Sequence, residues 1–252
     1  MKEVAFAALG VGGSTIIGAV IGFLVKAIPH KWNDAITSLA AGIMLSAAVL
    51  GLIVPATEMT GTKGLWMVVL GIFAGAACLN LMDRVTPHLH ALVGIDRERH
   101  AHNEGIDKVL LFVCAVAIHN LPEGLAAGVG FAGSPAESGG AISVAVGISL
   151  QNIPEGIMLV PPMILAGVPR GRAFCVAAVT GLIEVAGTFL GYLAGGISQV
   201  ILPFALAFAG GTMLYVVSDE MIPETHSHGY ERMATYALLT GFVIMLLADT
   251  ML

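Results

Sequence analysis

Two short segments of the sequence repeat one combination of side chains that can bind a metal ion. The segments are His119-Asn120-Leu121-Pro122-Glu123 and Gln151-Asn152-Ile153-Pro154-Glu155. In a helix, residues three and four positions apart lie on one face, so each segment gathers its polar side chains on one side. Imidazole, carboxylate and amide groups together suit Zn²⁺, Fe²⁺ or Mn²⁺ better than Ca²⁺ or Cu⁺. The repeat therefore predicts a site for a divalent transition-metal ion.

A proline interrupts each segment and shapes the helix around the polar side chains. Pro122 and Pro154 lack the backbone N–H and clash with the carbonyl four residues earlier, so a helix that carries them bends. Gly124 and Gly156 follow, and we expect them to ease the bend. One such segment is also compatible with a simple hydrogen-bonded contact between kinked helices. Two copies in one chain favour a binding site.

The composition places these polar groups inside a membrane. The chain has 252 residues, of which 57% are hydrophobic and only 11% are charged, and its mean hydropathy is +0.90. A soluble domain with so few charges could not cover this much apolar surface, so lipid must be the main solvent. The net charge of -6 and the total of only 11 Lys and Arg residues argue against a nucleic-acid partner.

Charged and turn residues divide the chain into eight apolar segments of roughly the ~20 residues that cross a bilayer. This predicts an all-α integral membrane protein with eight transmembrane helices in a single transmembrane domain covering residues 1–252. The segments are about 4–28, 36–56, 64–82, 107–131, 141–167, 172–195, 200–222 and 233–251. The first is too long for a signal-peptide core, so we expect no processing.

The distribution of basic residues predicts the orientation. An even number of spans puts both termini on one side, and nine of the 11 Lys and Arg residues fall in the loops of the other side. By the positive-inside rule those loops are cytoplasmic and both termini are extracytoplasmic. The longest of these loops, 83–107, contains four histidines. They are compatible with a weak metal buffer or with an ordinary solvated loop.

Counting along the segments brings the polar residues to one depth. His119 lies twelve residues from the cytoplasmic start of the fourth segment, and Glu155 twelve from the cytoplasmic end of the fifth. Glu184 lies twelve residues beyond Arg172, at the start of the sixth. Twelve residues span about 18 Å, which is near the bilayer midplane. Carboxylates at one depth repel in a low dielectric unless cations or protons neutralise them, which favours bound metal.

Other ionisable residues mark possible ends of a route for the ion. Glu58 lies at the predicted outer end of the second segment, and Asp83, His88, Glu220 and His226 lie at the cytoplasmic ends of the third and seventh. Helix ends tolerate charge, so each of these residues alone is also compatible with a solvated interface position.

Two functions compete with metal transport on these residues. An intramembrane metal-dependent hydrolase also places His and Glu on one helix face, but the usual H-E-x-x-H motif is absent. A structural or sensory protein could use the polar segments to lock helices together, and it would then keep its function without metal.

The polar segments resemble those of the ZIP (Zrt/Irt-like) family of metal transporters, particularly its short bacterial branch. The resemblance rests on the paired H-N-x-P-E-G and Q-N-x-P-E-G segments, on Glu184, on the run Met82-Asp83-Arg84-Val85-Thr86-Pro87-His88, and on the stretch from Ser218 to His226. It implies two three-helix units related by inverted symmetry around a central helix pair. It also implies a homodimer in the bacterial inner membrane that imports Zn²⁺, and also Fe²⁺, Mn²⁺ or Cd²⁺, by an elevator-like slide. Zinc is then the substrate, and no cofactor is expected.

The resemblance also implies roles for individual residues. His119, Glu123, Gln151 and Glu155 would hold one ion, with Met44 nearby. A second ion would bind to Asn120, Asn152 and Glu184, with Glu123 and Glu155 bridging the two. Many members have His at the position of Gln151, and some have an acidic residue at that of Asn152. Neutral amides bind metal less strongly, so the resemblance says less about the ion than about the site.

Overall fold

A computed structural model describes residues 2–24, 29–92, 117, 120–132, 138–165, 167–197 and 201–251. Every regular element in these ranges is helical. The helices are α1 Lys2–Leu24, α2 His30–Ser46, α3 Val54–Leu92, α4 120–130, α5 Ser138–Leu165, α6 Arg170–Ile197, α7 Leu202–Val216, α8 Ile222–Thr225 and α9 Glu231–Met251.

Two π-helical segments join helices that would otherwise be separate. Ala47–Ile53 connects α2 to α3, and Val217–Met221 connects α7 to α8. In each case a proline, Pro55 or Pro223, is the second residue of the helix that follows. A proline leaves the carbonyl four residues earlier without a donor and clashes with it, so the preceding turn widens. The chain therefore continues as one rod through each π-helical segment.

Six helical stretches of the described residues are long and apolar enough to cross a membrane. One of them, His30–Leu81, has 52 residues, about 78 Å of helix, which is more than twice the hydrocarbon thickness. Gly61, with φ 56° and ψ −168°, interrupts it between the predicted segments 36–56 and 64–82. The predicted segment 107–131 is described only at residue 117 and from residue 120 onward. The integral membrane class is confirmed, and the count of eight spans stays a prediction.

Large apolar side chains cover the outer surface. Phe6, Phe73, Leu193, Tyr236 and Leu247 are among the side chains that are more than half exposed. A water-soluble protein rarely exposes so many large apolar side chains together, whereas lipid solvates them. The outer surface is therefore suited to a bilayer.

Glycines let the helices pack backbone against backbone, and they do so in two bundles. The first, here called the site bundle, consists of α1, α4, α5 and α6. The second, the flanking bundle, pairs α2 with α9 and α3 with α7. A Cβ atom at Gly42 would overlap the carbonyl of Leu238, and one at Gly75 would overlap that of Phe208. Such positions accept only glycine, because any side chain would push the two helices apart.

The two bundles meet through side chains. Where α5 passes the flanking bundle, Gly51 faces the side chain of Val144, and Gly147 faces that of Met245. Met44 and Ile148 belong to the same buried apolar cluster. The bundles thus touch through side chains, most of them apolar, and through one hydrogen bond of 2.8 Å from Ser143 of α5 to Asp249 of α9.

Candidate metal site

Glu184 of α6 is the point at which the four helices of the site bundle meet. Its carboxylate is fully buried and accepts hydrogen bonds from the other three helices. Asn120 of α4 donates to Oε1 at 2.5 Å, and Asn152 of α5 donates to Oε2 at 2.7 Å. The hydroxyl of Thr15 in α1 lies 2.8 Å from Oε1 and 2.9 Å from Oε2, so both oxygens share its proton. Both carboxyl oxygens therefore have hydrogen-bond partners, which offsets part of the cost of burying this polar group.

A second pair of polar side chains lies between α4 and α5. Gln151 donates from Nε2 to Oε1 of Glu123 at 2.7 Å, and both side chains are buried. Glu155, one turn beyond Gln151 on the same helix, is half-buried. The two repeated sequence segments therefore face each other across the interface between α4 and α5.

The amides use their nitrogens on the carboxylates and leave their oxygens for other partners. Among the residues described, Oδ1 of Asn120, Oε1 of Gln151 and Oδ1 of Asn152 are buried and accept no hydrogen bond. A buried acceptor without a partner is costly, and such atoms are common where something else binds. Amide oxygens are ordinary ligands of divalent cations. The donor set therefore fits a metal ion.

The described side chains do not by themselves complete a metal site. In the part of the chain that the structure covers, no three His, Cys, Asp or Glu side chains are placed to hold one ion together. His119, the imidazole of the predicted set, lies outside the described residues. The structure brings together Asn120, Glu123, Gln151, Asn152 and Glu184, and the full ligand set stays a prediction.

The glycine after each polar segment has a packing role that the sequence did not indicate. A Cβ atom at Gly124 would overlap the backbone oxygen of Glu184, and one at Gly156 would overlap that of Thr15. We expected these glycines to ease a bend, but they lie where α4 touches α6 and where α5 touches α1. Close contact at these two points brings the polar side chains within hydrogen-bonding distance of Glu184.

Helices α1 and α6 share a spacing that the sequence analysis missed, Gly-x-x-Thr/Glu-x-x-Gly-x-x-x-Gly. It runs through Gly12, Thr15, Gly18 and Gly22 in α1, and through Gly181, Glu184, Gly187 and Gly191 in α6. The last two glycines of α1 face the carbonyls of Ile153 and Ile157 in α5, and those of α6 face the carbonyls of Leu121 and Leu125 in α4. Thr15 thus occupies in α1 the place that Glu184 occupies in α6.

Met44 belongs to the flanking bundle. Its side chain in α2 is buried in the apolar cluster that also contains Val144 and Ile148 of α5. This places it at the boundary between the two bundles, and its contact with a bound ion stays a prediction.

The predicted route residues have separate surroundings. Glu58 is exposed near the start of α3, and Glu220 is half-buried in the second π-helical segment. His226 follows α8, with Nδ1 2.9 Å from the carbonyl of Ile222 and Nε2 3.2 Å from the hydroxyl of Thr235. The side chains of Asp83 and His88 lie outside the described residues. The roles of these residues in a route stay predictions.

A hydrogen bond joins the start of α2 to the loop between α8 and α9. Asp34 is fully buried, and its Oδ1 lies 3.1 Å from Nδ1 of His228. The His228 ring stacks on His30 with 4.4 Å between the ring centroids. No pattern in the sequence indicates this contact, because an acidic residue in the second turn of a helix is usually solvated.

Comparison with known proteins gives one consistent result. A family model described as ZIP Zinc transporter matches residues 94–249. Zinc transporter GufA of Myxococcus xanthus is 39% identical over 249 residues, which cover 96% of either chain. Zinc transporter ZIPB of Bordetella bronchiseptica is 35% identical over 95% of this chain and 78% of its own. Zinc transporter ZIP11 of Homo sapiens is 28% identical over 94% of this chain and 93% of its own.

Proposed function

The chain belongs to the ZIP zinc transporter family, and from this premise we propose that it carries Zn²⁺ across the membrane into the cytoplasm through the site between α4, α5 and α6. The observation that carries the proposal is the cluster of buried carboxylates and amides at the meeting point of four helices. Polar groups at this depth are costly in a membrane protein and are usually kept because they bind or conduct something.

The competing enzymatic function is wrong. The curated relatives are named as zinc transporters, and the chain is a transporter rather than an enzyme. Zinc is accordingly a transported substrate and not a cofactor.

We propose that the ion passes through the site in three stages. It enters from outside near Glu58 and binds to His119, Glu123, Gln151 and Glu155, with Met44 alongside. A second ion uses Asn120, Asn152 and Glu184 and shares the carboxylates of the first. Release proceeds toward Asp83, His88, Glu220 and His226. Protons compete with metal for the emptied carboxylates, so protonation favours release.

The arrangement of the helices supports a carrier built from inverted repeats. The shared glycine spacing of α1 and α6, and the two π-helical segments followed by proline, relate the first three predicted spans to the last three. Such repeats with a site near the midplane generally serve alternating access. Backbone contact within each bundle and a side-chain layer between them favour a slide of the site bundle past the flanking bundle.

The proposed setting is the bacterial inner membrane, with both termini extracytoplasmic and with a homodimer as the assembled form. The orientation rests on the basic loops. Cysteine labelling from outside at position 2 or 251 tests it, and labelling only from the cytoplasmic side would contradict it.

Zinc uptake into proteoliposomes tests the proposed function. The wild-type chain should accumulate Zn²⁺ down a gradient, and Glu155→Ala should abolish nearly all uptake, because it removes a carboxylate from the predicted site. Glu231→Gln is a matched control, since Glu231 is an exposed carboxyl residue at the start of α9. If Glu155→Ala took up zinc as well as Glu231→Gln and the wild type do, the assignment of Glu155 to the site would be wrong.

A further inference from the structure

Among the described residues, Thr15 is the one whose hydroxyl donates to the carboxylate of Glu184, since the hydroxyl of Thr188 bonds the backbone carbonyl of that residue instead. It is fully buried in α1, and its Oγ1 lies within 2.9 Å of both carboxylate oxygens. The neighbouring positions of α1 toward the site are occupied by Val11 and Gly12, which offer no polar side chain. In the described part of α1, Thr15 is therefore the side chain that is hydrogen-bonded to the Glu184 carboxylate.

The backbone of α1 also accepts a hydrogen bond from the polar side chains around Glu184. Asn152 donates from Nδ2 to the carbonyl of Val11 at 3.2 Å, and the same nitrogen donates to Glu184. These two bonds fix the orientation of the Asn152 amide and leave its Oδ1 without a hydrogen-bond partner in the described structure. One turn of α1 thus orients both Glu184 and Asn152.

The place of Thr15 in the repeat explains why a hydroxyl suits it. In α6 the equivalent position is Glu184, which supplies the charge. A second carboxylate in α1 would lie against the first and repel it strongly at this depth. A neutral donor holds the carboxylate in one rotamer and leaves the net charge of the site unchanged.

We propose that Thr15 is a positioning residue that holds the Glu184 carboxylate in the orientation the metal site needs. This inference rests on the proposed function. Thr15 itself is not a ligand in the proposal, and its role is to donate its hydroxyl proton to the carboxylate. It sets zinc affinity through Glu184.

Two substitutions separate positioning from packing. Thr15→Val keeps the branched shape and removes the hydroxyl, whereas Thr15→Ser keeps the hydroxyl and removes the methyl group. Losing a hydrogen bond to a charged group should raise the KM for Zn²⁺ uptake at least about tenfold in Thr15→Val. Thr15→Ser should stay within about twofold of the wild type. If Thr15 only fills space, Val is the harmless substitution and Ser the harmful one, which is the reverse order.

The experiment measures zinc uptake in proteoliposomes and the carboxylate stretching band of the purified protein by infrared spectroscopy. The band of Glu184 is assigned by subtracting the spectrum of Glu184→Gln. Positioning predicts a shifted or broadened band in Thr15→Val and an unchanged band in Thr15→Ser. Thr15→Val should still fold, with its Tm lowered only by the few degrees that the loss of one buried hydrogen bond costs. An unchanged band and KM in Thr15→Val would overturn the inference.

The two readouts also keep this inference distinct from the proposed function. Wild-type protein that takes up no zinc would refute the function, while the infrared comparison would still decide whether Thr15 orients Glu184. Normal wild-type uptake and an inactive Glu155→Ala, together with a fully normal Thr15→Val, would refute only the role of Thr15.

Discussion

Replacing Gly124 by Ala should damage the site without touching any of its polar side chains. The added Cβ would overlap the backbone oxygen of Glu184 and come within 3.0 Å of its Cα. Carbon atoms in contact are normally about 3.5–4.0 Å apart, so α4 and α6 must separate by about 0.5–1 Å. A separation of this size lengthens the 2.5 Å bond from Asn120 to Glu184 toward the limit of a hydrogen bond, about 3.2 Å.

The energetic consequence follows from two opposing effects. Overpacking costs about 1–3 kcal/mol, whereas an alanine in place of a helical glycine stabilises the helix by about 0.5–1 kcal/mol. The difference is a net loss of up to about 2.5 kcal/mol, with a central value of about 1 kcal/mol, in the free energy of unfolding. For a chain of this length each kcal/mol lowers Tm by about 2–4 °C.

The assay compares Gly124→Ala with Gly13→Ala, which makes the same change in α1 where a Cβ would meet nothing within 4 Å. Gly124→Ala should lower both Tm and zinc uptake, and Gly13→Ala should leave uptake intact with an equal or higher Tm. If the two variants behaved alike, the close contact between α4 and α6 would not control the site, and the packing argument would fail.

Two further substitutions test single contacts. Gln151→Leu removes the amide that donates to Glu123 at 2.7 Å, so Zn²⁺ affinity measured by calorimetry should fall by at least about tenfold; an unchanged affinity would remove Gln151 from the site. His228→Ala leaves the buried carboxylate of Asp34 without its 3.1 Å partner and should cost about 1–3 kcal/mol of stability in chemical unfolding. Since this pair lies away from the site, zinc affinity should not change, and a large loss of affinity would show that the pair belongs to the transport route.

The helical class and the grouping of polar side chains along each helix can be predicted from the sequence, because both depend on residues close together in the chain. The repeat at 119–123 and 151–155 indicated that Asn120, Glu123, Gln151 and Asn152 belong to one centre. In the structure Asn120 and Asn152 donate to Glu184, and Gln151 donates to Glu123, while the common metal site of these side chains stays a prediction. Spacing along a helix was sufficient to choose these residues.

Contacts between helices that are far apart in the chain could not be predicted from the spacing of residues along one helix. In lipid a transmembrane helix is apolar on every side, so no hydrophobic stripe tells which neighbour it faces. The bond between Thr15 and Glu184 joins residues 169 positions apart, and the pair Asp34–His228 joins residues 194 positions apart. The glycine spacing of α1 and α6 carried the missing information, since it marks where two backbones touch.

Anomalous diffraction at the zinc edge, from crystals soaked in Zn²⁺, locates bound zinc directly. We expect a zinc peak between α4 and α5, within ligand distance of Glu123 and Glu155, and its loss in Glu123→Gln. Zinc peaks confined to surface histidines such as His228, with an empty space between α4 and α5, would contradict the claim that this cluster of buried carboxylates and amides holds the transported ion.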